Sequence, residues 1–410
     1  MMDQAQQAAT TAPGLSIGEK VVVLMGGVVA GMSLTVLNPV LPSIEKALAH
    51  TPTDQMLVKQ LFGAVTLAMV AGAPLGGFLV AKLGMRRLLL IASLVFAIGG
   101  SSGFFMSSLP MLLVSRLFVG LSAACIQVMA LTLVNTRLSG AGRAKWMGLH
   151  VAIATLFSLA IFPLSGFLGD ISWRLPFLEH LFGLVVFAAI LVSPLSEVPQ
   201  QPRSAAAGLA SESIFKWMPW HYVALTLFTG AITFLPTIYS PFLFRDKFGL
   251  QPSGIGMIML ASALIGGLSA MFYGKAMRYL SVHAAFLVAF GLAATGMLIA
   301  ALAASLPVMV GGFILYGLGN AWFVPNVMTS LGGKVLPHQQ ARAAGLVKMG
   351  QFLSTPLCVL LVEPYARQFG AYTVMLLACG MASFIFLLML GRMITLGKNG
   401  LAAPAQVAGH

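Results

Sequence analysis

The sequence predicts an all-α integral membrane protein with twelve transmembrane helices, and three observations carry that expectation. Of 410 residues, 59% are hydrophobic and only 8% are charged, whereas a soluble domain carries about 25% charged residues. No water-facing surface is available, so lipid must be the solvent for most of the chain. Apolar runs of roughly 20 residues recur, each long enough to cross the hydrocarbon core. Runs such as "LLLIASLVFAIGG" (Leu88–Gly100) are continuously apolar, whereas strands of a closed barrel alternate, so the spans satisfy their backbone groups as helices.

The expected spans of the first half are Val21–Leu41, Leu61–Leu79, Leu88–Phe105, Leu109–Val134, Met147–Gly169 and Pro176–Val192. Those of the second half are Val223–Phe244, Ile255–Tyr273, Ala284–Ala304, Val308–Leu331, Ala343–Val362 and Tyr372–Leu390. The 44 glycines suit close helix–helix contacts in a bundle. Between the sixth and seventh runs lies a polar Pro/Ser/Ala stretch, Ser196–Trp217. The expected organisation is therefore a six-helix bundle over 17–195, a cytoplasmic linker over 196–218 and a second six-helix bundle over 219–393. Polar tails at 1–16 and 394–410 are expected to be disordered, and no cleavable signal peptide is evident. A weak internal echo supports two pseudo-symmetric bundles: "KLGMRR" (Lys82–Arg87) closes the second span and "KAMR" (Lys275–Arg278) the eighth. Duplicated bundles of this kind hold a solute between them near the midplane.

The net charge of +13 reads as an orientation signal. With a cytoplasmic N-terminus, fifteen of the 23 cations fall on the cytoplasmic side. They include Lys82, Arg86 and Arg87 after the second span and Arg137, Arg143 and Lys145 after the fourth. Lys46, Lys59, Arg174, Arg245, Lys247 and Arg367 fall opposite, while Arg116 and Lys348 remain inside spans. This positive-inside bias puts both termini in the cytoplasm. Cations dispersed over short loops make nucleic acid a poor partner. Cys125, Cys358 and Cys379 lie in apolar runs without metal-ligand spacing and read as packing residues.

"GGFLVAKLGMRR" (Gly76–Arg87) resembles the loop signature of the major facilitator superfamily, with Gly77, Gly84, Arg86 and Arg87 in register and Ala81 where the family has Asp. "RLFVGLSAA" (Arg116–Ala124) resembles the fourth-helix motif, and "FPLSGFLGDISWRLPF" (Phe162–Phe177) the end of helix five and the entry to helix six. The resemblance covers nearly the whole chain. It implies the superfamily fold and transport by alternating access, with helices one, four, seven and ten lining a central cavity. It also implies a cytoplasmic latch at the loop, where a carboxylate is favoured by the N-terminus of helix eleven. Ala81 cannot supply that charge. The nearest cytoplasmic acid by topology is Glu197, so Arg86 or Arg87 is expected either to pair with Glu197 or to contact lipid headgroups. "FPLSGF" keeps Pro163 and Gly166 but has Phe where antiporter members have glycines, which counts against drug efflux.

All ten acids map to termini, loops or span ends, leaving no mid-span carboxylate as an evident proton carrier. Arg116 lies about two turns inside the fourth span, with Gly120, Ala123 and Gln127 on its face. Its donor fork suits a carboxylate or phosphate, or it snorkels toward the outer interface or bonds backbone carbonyls. Lys348 resembles the span-eleven lysine of the superfamily's organic-anion carriers, or it snorkels likewise. The remaining candidate substrate contacts are Thr35 and Asn38 before Pro39, Thr229 and Thr233 of a threonine stripe, and Asn320, Trp322 and Asn326 around Pro325. Threonine hydroxyls also bond back to their own helix.

Together these features predict a multi-pass inner-membrane secondary transporter, monomeric, without cofactor, and driven by an ion gradient because no nucleotide-binding loop occurs. No convergent nucleophile, base or metal set points to an enzyme. Three readings of the cargo remain open: an amphipathic compound expelled in exchange for protons, an organic anion held by Arg116, or a lipid or lysolipid that the protein flips across the bilayer.

Overall fold

The computed structural model describes residues 15–138, 140–192, 217–332, 334–336 and 339–395. The expected tails, Glu197 and most of the expected 196–218 linker lie outside the described residues. All regular elements among the described residues are helical, and twelve helical stretches are long and apolar enough to cross a membrane. The first span is split into α1 (Ile17–Thr35) and α2 (Leu41–Leu48) by a 3-10 turn at Asn38–Val40. There follow α3 (Pro52–Leu83), α4 (Met85–Ser101), α5 (Leu109–Arg137), α6 (Gly140–Ile171) and α7 (Phe182–Val192). A 3-10 segment, Leu175–Leu181, leads into α7. The second half comprises α8 (Trp220–Phe248), α9 (Pro252–Ala276), α10 (Val282–Leu302), α11 (Leu306–Asn320), α12 (Phe323–Gly332), α13 (Gln340–Phe369) and α14 (Tyr372–Thr395).

Local chemistry sets the ends. Ser16 and Glu19 form a reciprocal capping box: the Glu19 N–H donates to Ser16 Oγ at 3.2 Å and the Ser16 N–H to Glu19 Oε2 at 2.9 Å. Gly84 separates α3 from α4 with φ +77° and ψ 159°, a conformation that only glycine adopts without strain. Gly84→Ala is therefore expected to cost about 1–3 kcal/mol, read as a lower unfolding temperature in detergent. Gly77→Ala serves as its control, because no atom lies within 4 Å of the added Cβ.

Two spans are split into separate α-helices, and a proline stands at each break. Pro39 has no N–H to return to the Thr35 carbonyl, and α1 ends there. Pro325 likewise offers nothing to the Ala321 carbonyl, and the tenth span parts into α11 and α12.

Residues up to Leu37 and from Ala64 to 192 form one compact unit; Asn38–Gly63 and the residues from 217 onward form the other. In the first unit α1 packs on α5 and α6, and α4 on α5 and α7. In the second, α8 packs on α13, and α10 on α11 and α14. Three of the four pairings recur in the second half, α8 on α13 for α1 on α6, and α10 on α11 and α14 for α4 on α5 and α7, so the two bundles are pseudo-symmetric.

Glycine brings two further crossings to backbone contact. A Cβ on Gly120 of α5 would strike the Val65 carbonyl oxygen of α3, and one on Gly317 of α11 would sit 2.7 Å from the Ser262 carbonyl oxygen of α9. These are corresponding crossings, the fourth span on the second and the tenth on the eighth.

Candidate functional site

In the first unit, Arg116 is only 1% exposed. One terminal nitrogen donates to the Gly100 carbonyl and to Ser115 Oγ, both at 2.9 Å. The other lies 3.2 Å from His180 Nε2, and the guanidinium stands 5.0 Å from the centre of the Phe177 ring. His180 Nδ1 is 3.0 Å from the Phe177 carbonyl. That oxygen only accepts, so Nδ1 carries the hydrogen and Nε2 takes the bond from Arg116. The expected presentation of this fork to a solute is not what the geometry provides. Its two terminal nitrogens are engaged within the bundle because α4 and the 3-10 segment close over them, while its buried Nε has no hydrogen-bond partner among the described residues. Gly100 allows that closure, since a Cβ there would meet the His180 ring. Gly120 and Ala123, expected on a cavity-lining face with Arg116, are buried in helix packing.

Gln127 is half-buried where α5 passes Gly26 of α1. Thr35 is buried and donates to the Gly31 carbonyl at 3.0 Å. In the second unit, Asn38 is buried at the start of the 3-10 turn.

The threonine stripe on α8 does bond back to its helix: Thr229 to the Thr226 carbonyl at 3.4 Å and Thr233 to the Thr229 carbonyl at 2.8 Å. Thr233 also reaches Asn320 Oδ1 at 2.6 Å, tying α8 to the last residue of α11. Tyr316 donates its hydroxyl to the Ile232 and Thr233 carbonyls at 3.1 and 3.0 Å. Beyond the break, Trp322 Nε1 donates to the Ser269 carbonyl at 3.1 Å, and buried Asn326 accepts from Tyr273 at 2.9 Å. The polar residues singled out in the tenth span therefore gather around a discontinuity. Irregular backbone at membrane depth is tolerated only within protein or beside a hydrated cavity, and broken spans commonly form solute sites. Lys348 is exposed on α13, with Nζ 3.0 Å from Gln351 Oε1 and 5.7 Å from the Phe352 ring centre.

Of the loop residues, Gly77 and Arg87 are exposed, and Gly84 caps α4. Arg86 donates to the Leu191 carbonyl at 2.8 Å, at the last turn of α7, where a cation complements the helix dipole. Its expected partner Glu197 lies outside the described residues. At the same end of this unit Arg137 and buried Glu19 form an ion pair at 3.3 Å.

One cluster was not anticipated. In the second unit, Lys59 Nζ lies 3.2 Å from Glu45 Oε1 and 3.1 Å from Glu363 Oε1, and donates to the Gln55 carbonyl at 3.3 Å. The same ammonium stands 4.5 Å from the Phe242 ring centre. Tyr239 donates to Glu363 Oε2 at 2.7 Å, and Arg245 approaches Glu45 Oε2 at 3.6 Å and Asp246 at 2.7 Å. Glu363 was expected at a span end. It sits inside α13 with a side chain only 2% exposed, because that helix runs on to Phe369. Glu179, also within a described span, accepts from Ser165 at 2.8 Å. The signal that could have found the cluster was topological: Glu45, Lys59, Arg245 and Glu363 all fall on one side of the membrane.

A bundle of twelve apolar spans in two repeated halves, with polar residues gathered at broken helices, defines a multi-pass membrane protein of the transporter class. The family model for the Major Facilitator Superfamily matches residues 23–355 and 222–406, and the chain belongs to that family. Quinolone resistance protein NorA of Staphylococcus aureus is 24% identical over 257 residues, which cover 61% of this chain and 65% of the relative. Multidrug resistance protein 1 of Bacillus subtilis (strain 168) is 25% identical over 246 residues, covering 59% and 62%. The match thus spans just under two thirds of these relatives' length. The crystal structure of the D-xylose-proton symporter superposes with a TM-score of 0.76 at 15% identity, over 91% of this chain and 96% of that one. That likeness is one of fold.

Proposed function

We propose that the protein is a secondary active transporter of a bacterial inner membrane that expels amphipathic organic compounds by alternating access, in exchange for protons. It works as a monomer with both termini in the cytoplasm, the basic loop carrying Gly77, Gly84, Arg86 and Arg87 forming part of the cytoplasmic gate. The observation that carries the substrate class is the break in the tenth span. There Thr233 and Asn320, bonded to each other, and Trp322, its Nε1 held by the Ser269 carbonyl, give an uncharged polar surface with an aromatic ring, a lining suited to an amphipathic solute. The organic-anion reading depended chiefly on Arg116, whose terminal nitrogens are engaged inside its own bundle. The relatives named for quinolone and multidrug resistance lend the proposal further support.

The test is transport into proteoliposomes of a quinolone, a fluorescent amphipathic dye and a small dicarboxylate. The quinolone or the dye should move saturably and the dicarboxylate should not; saturable movement of the dicarboxylate alone would favour the anion carrier. Thr233→Val removes the hydroxyl at Asn320. By freeing Asn320 at the break it is expected to raise the KM for the transported compound roughly five-fold, the equivalent of about 1 kcal/mol, together with a small fall in unfolding temperature from the lost intramolecular hydrogen bond.

A further inference from the structure

We infer that Glu363 is the proton-binding carboxylate of this transporter, and that its protonation unfastens Lys59 and releases Asn38–Gly63 from α8 and α13. The inference rests on the proposed proton-coupled transport and names the residue that performs the coupling.

The ion pairs at Lys59 join parts of the chain that are far apart in sequence. Lys59 lies in the first turns of α3, which continues past Gly63 into the first unit, while Glu363 belongs to α13 in the second. The attachment has further contacts: Arg245 donates to the Pro42 carbonyl at 3.0 Å, Gln60 donates to the Pro356 carbonyl at 3.1 Å, and the Phe62 and Phe234 rings are 5.6 Å apart. The chain is already weak at one edge of this attached segment, where Pro39 interrupts the first span.

Charge balance decides what holds the segment. The groups facing Glu363 are Lys59 and Tyr239, with Glu45, Arg245 and Asp246 behind them, Arg367 on its own helix and Cys358 near Tyr239. Buried Lys59 is balanced by Glu45 of its own segment and by Glu363 of α13, while Arg245 makes its shorter ion pair with Asp246 at 2.7 Å. A proton on Glu363 removes the ion pair that ties this ammonium to α13, and a buried charge that loses a partner opposes closure.

Tyr239 singles out Glu363 from Glu45. A hydroxyl both donates and accepts. Tyr239 donates to the carboxylate and, by turning its hydrogen, accepts from the carboxylic acid. Glu363 therefore keeps a partner in both protonation states. The partners of Glu45 are Lys59 and Arg245, which cannot accept a hydrogen bond. A cavity of about 240 Å³ borders the cluster, lined by Gln55, Lys59, Glu363, Arg367 and Gly370 among others. A water takes about 30 Å³ of the liquid, so the proton has an aqueous route. The step is a proton transfer from hydronium in that water: one hydronium O–H bond breaks, one O–H bond forms on a Glu363 carboxylate oxygen, and neutral water is left.

The experiment places spin labels at Thr53→Cys and Gln368→Cys, both exposed, after Cys125, Cys358 and Cys379 are changed to alanine. Distances are measured by pulsed electron resonance in lipid nanodiscs from about pH 8 to about pH 5. A longer-distance population should grow roughly ten-fold toward acid. In E363Q, and independently in K59Q, it should be present at both ends and indifferent to pH. A parent distribution that ignores pH, or an E363Q or K59Q protein that still titrates like the parent, overturns the inference. In proteoliposomes, E363Q should retain downhill exchange of a quinolone and lose pH-driven accumulation. Unchanged pH-driven accumulation by E363Q overturns the assignment of Glu363 alone. Absence of any quinolone or dye movement by the parent overturns the transport reading, and the distance measurement stands apart from it.

Discussion

Arg116→Ala is expected to destabilise the first bundle by about 3 kcal/mol or more rather than to remove a solute contact. The substitution strips donors from the Gly100 carbonyl, from Ser115 and from His180. Hydrogen bonds to charged groups contribute about 1.5–3 kcal/mol each, and a buried acceptor left without its donor bears the full desolvation penalty. It also leaves a void beside Phe177, which the guanidinium now faces at 5.0 Å. Lysine should rescue poorly, because one ammonium lacks the planar fork that reaches these partners together. The measurement is thermal unfolding of the purified protein, with transport assayed on the fraction that remains monodisperse. An unchanged unfolding temperature with abolished transport would return Arg116 to the substrate site.

The second large effect is expected from valine at the paired glycines. Gly120→Val drives a side chain into the Val65 carbonyl oxygen, and Gly317→Val places a Cβ 2.7 Å from that of Ser262. In each case the obstacle is backbone of a neighbouring helix, which cannot swing aside as a flexible side chain can. Overpacking of this kind typically costs about 1–3 kcal/mol, and these sites should fall at the upper end. Gly77→Val, with no atom within 4 Å of its Cβ, is the matched control and should leave stability unchanged. Equal losses at Gly120 and Gly317 would be the energetic counterpart of the repeated helix pairing. A loss at only one would show that the two halves have diverged in how they pack.

The twelve spans were legible because apolarity over about 20 residues has one physical meaning in a chain with so few charges. Helix ends were less so. The run beginning at Leu61 belongs to a helix that starts at Pro52, and the run beginning at Met147 to one that starts at Gly140. Hydropathy reports the depth of lipid, whereas backbone hydrogen bonding continues into the interface until a cap or a glycine stops it. Pro39 and Pro325 stand at the two broken spans, but Pro74, Pro163, Pro236 and Pro356 lie inside continuous helices, so a missing N–H in the sequence does not by itself mark a break. Of the readings open for Arg116, its bond to the Gly100 carbonyl matches the backbone-bonding one, while its contact with His180 was not legible because that residue is remote in sequence and met only through packing. The Lys59 cluster was hidden for the same reason. Each of its charges looks unremarkable at the end of an apolar run, and only the fold brings Glu45, Tyr239 and Glu363 to one ammonium.

The central claim is that a proton gradient drives an amphipathic solute through this bundle. Its most direct test is the response of quinolone transport in proteoliposomes to the sign of an imposed pH gradient. With a single orientation of the protein selected, the account predicts accumulation on the side from which protons leave, and reversal of the net flux when the gradient is inverted. Saturable quinolone flux that proceeds only downhill and is blind to the direction of the gradient would contradict it.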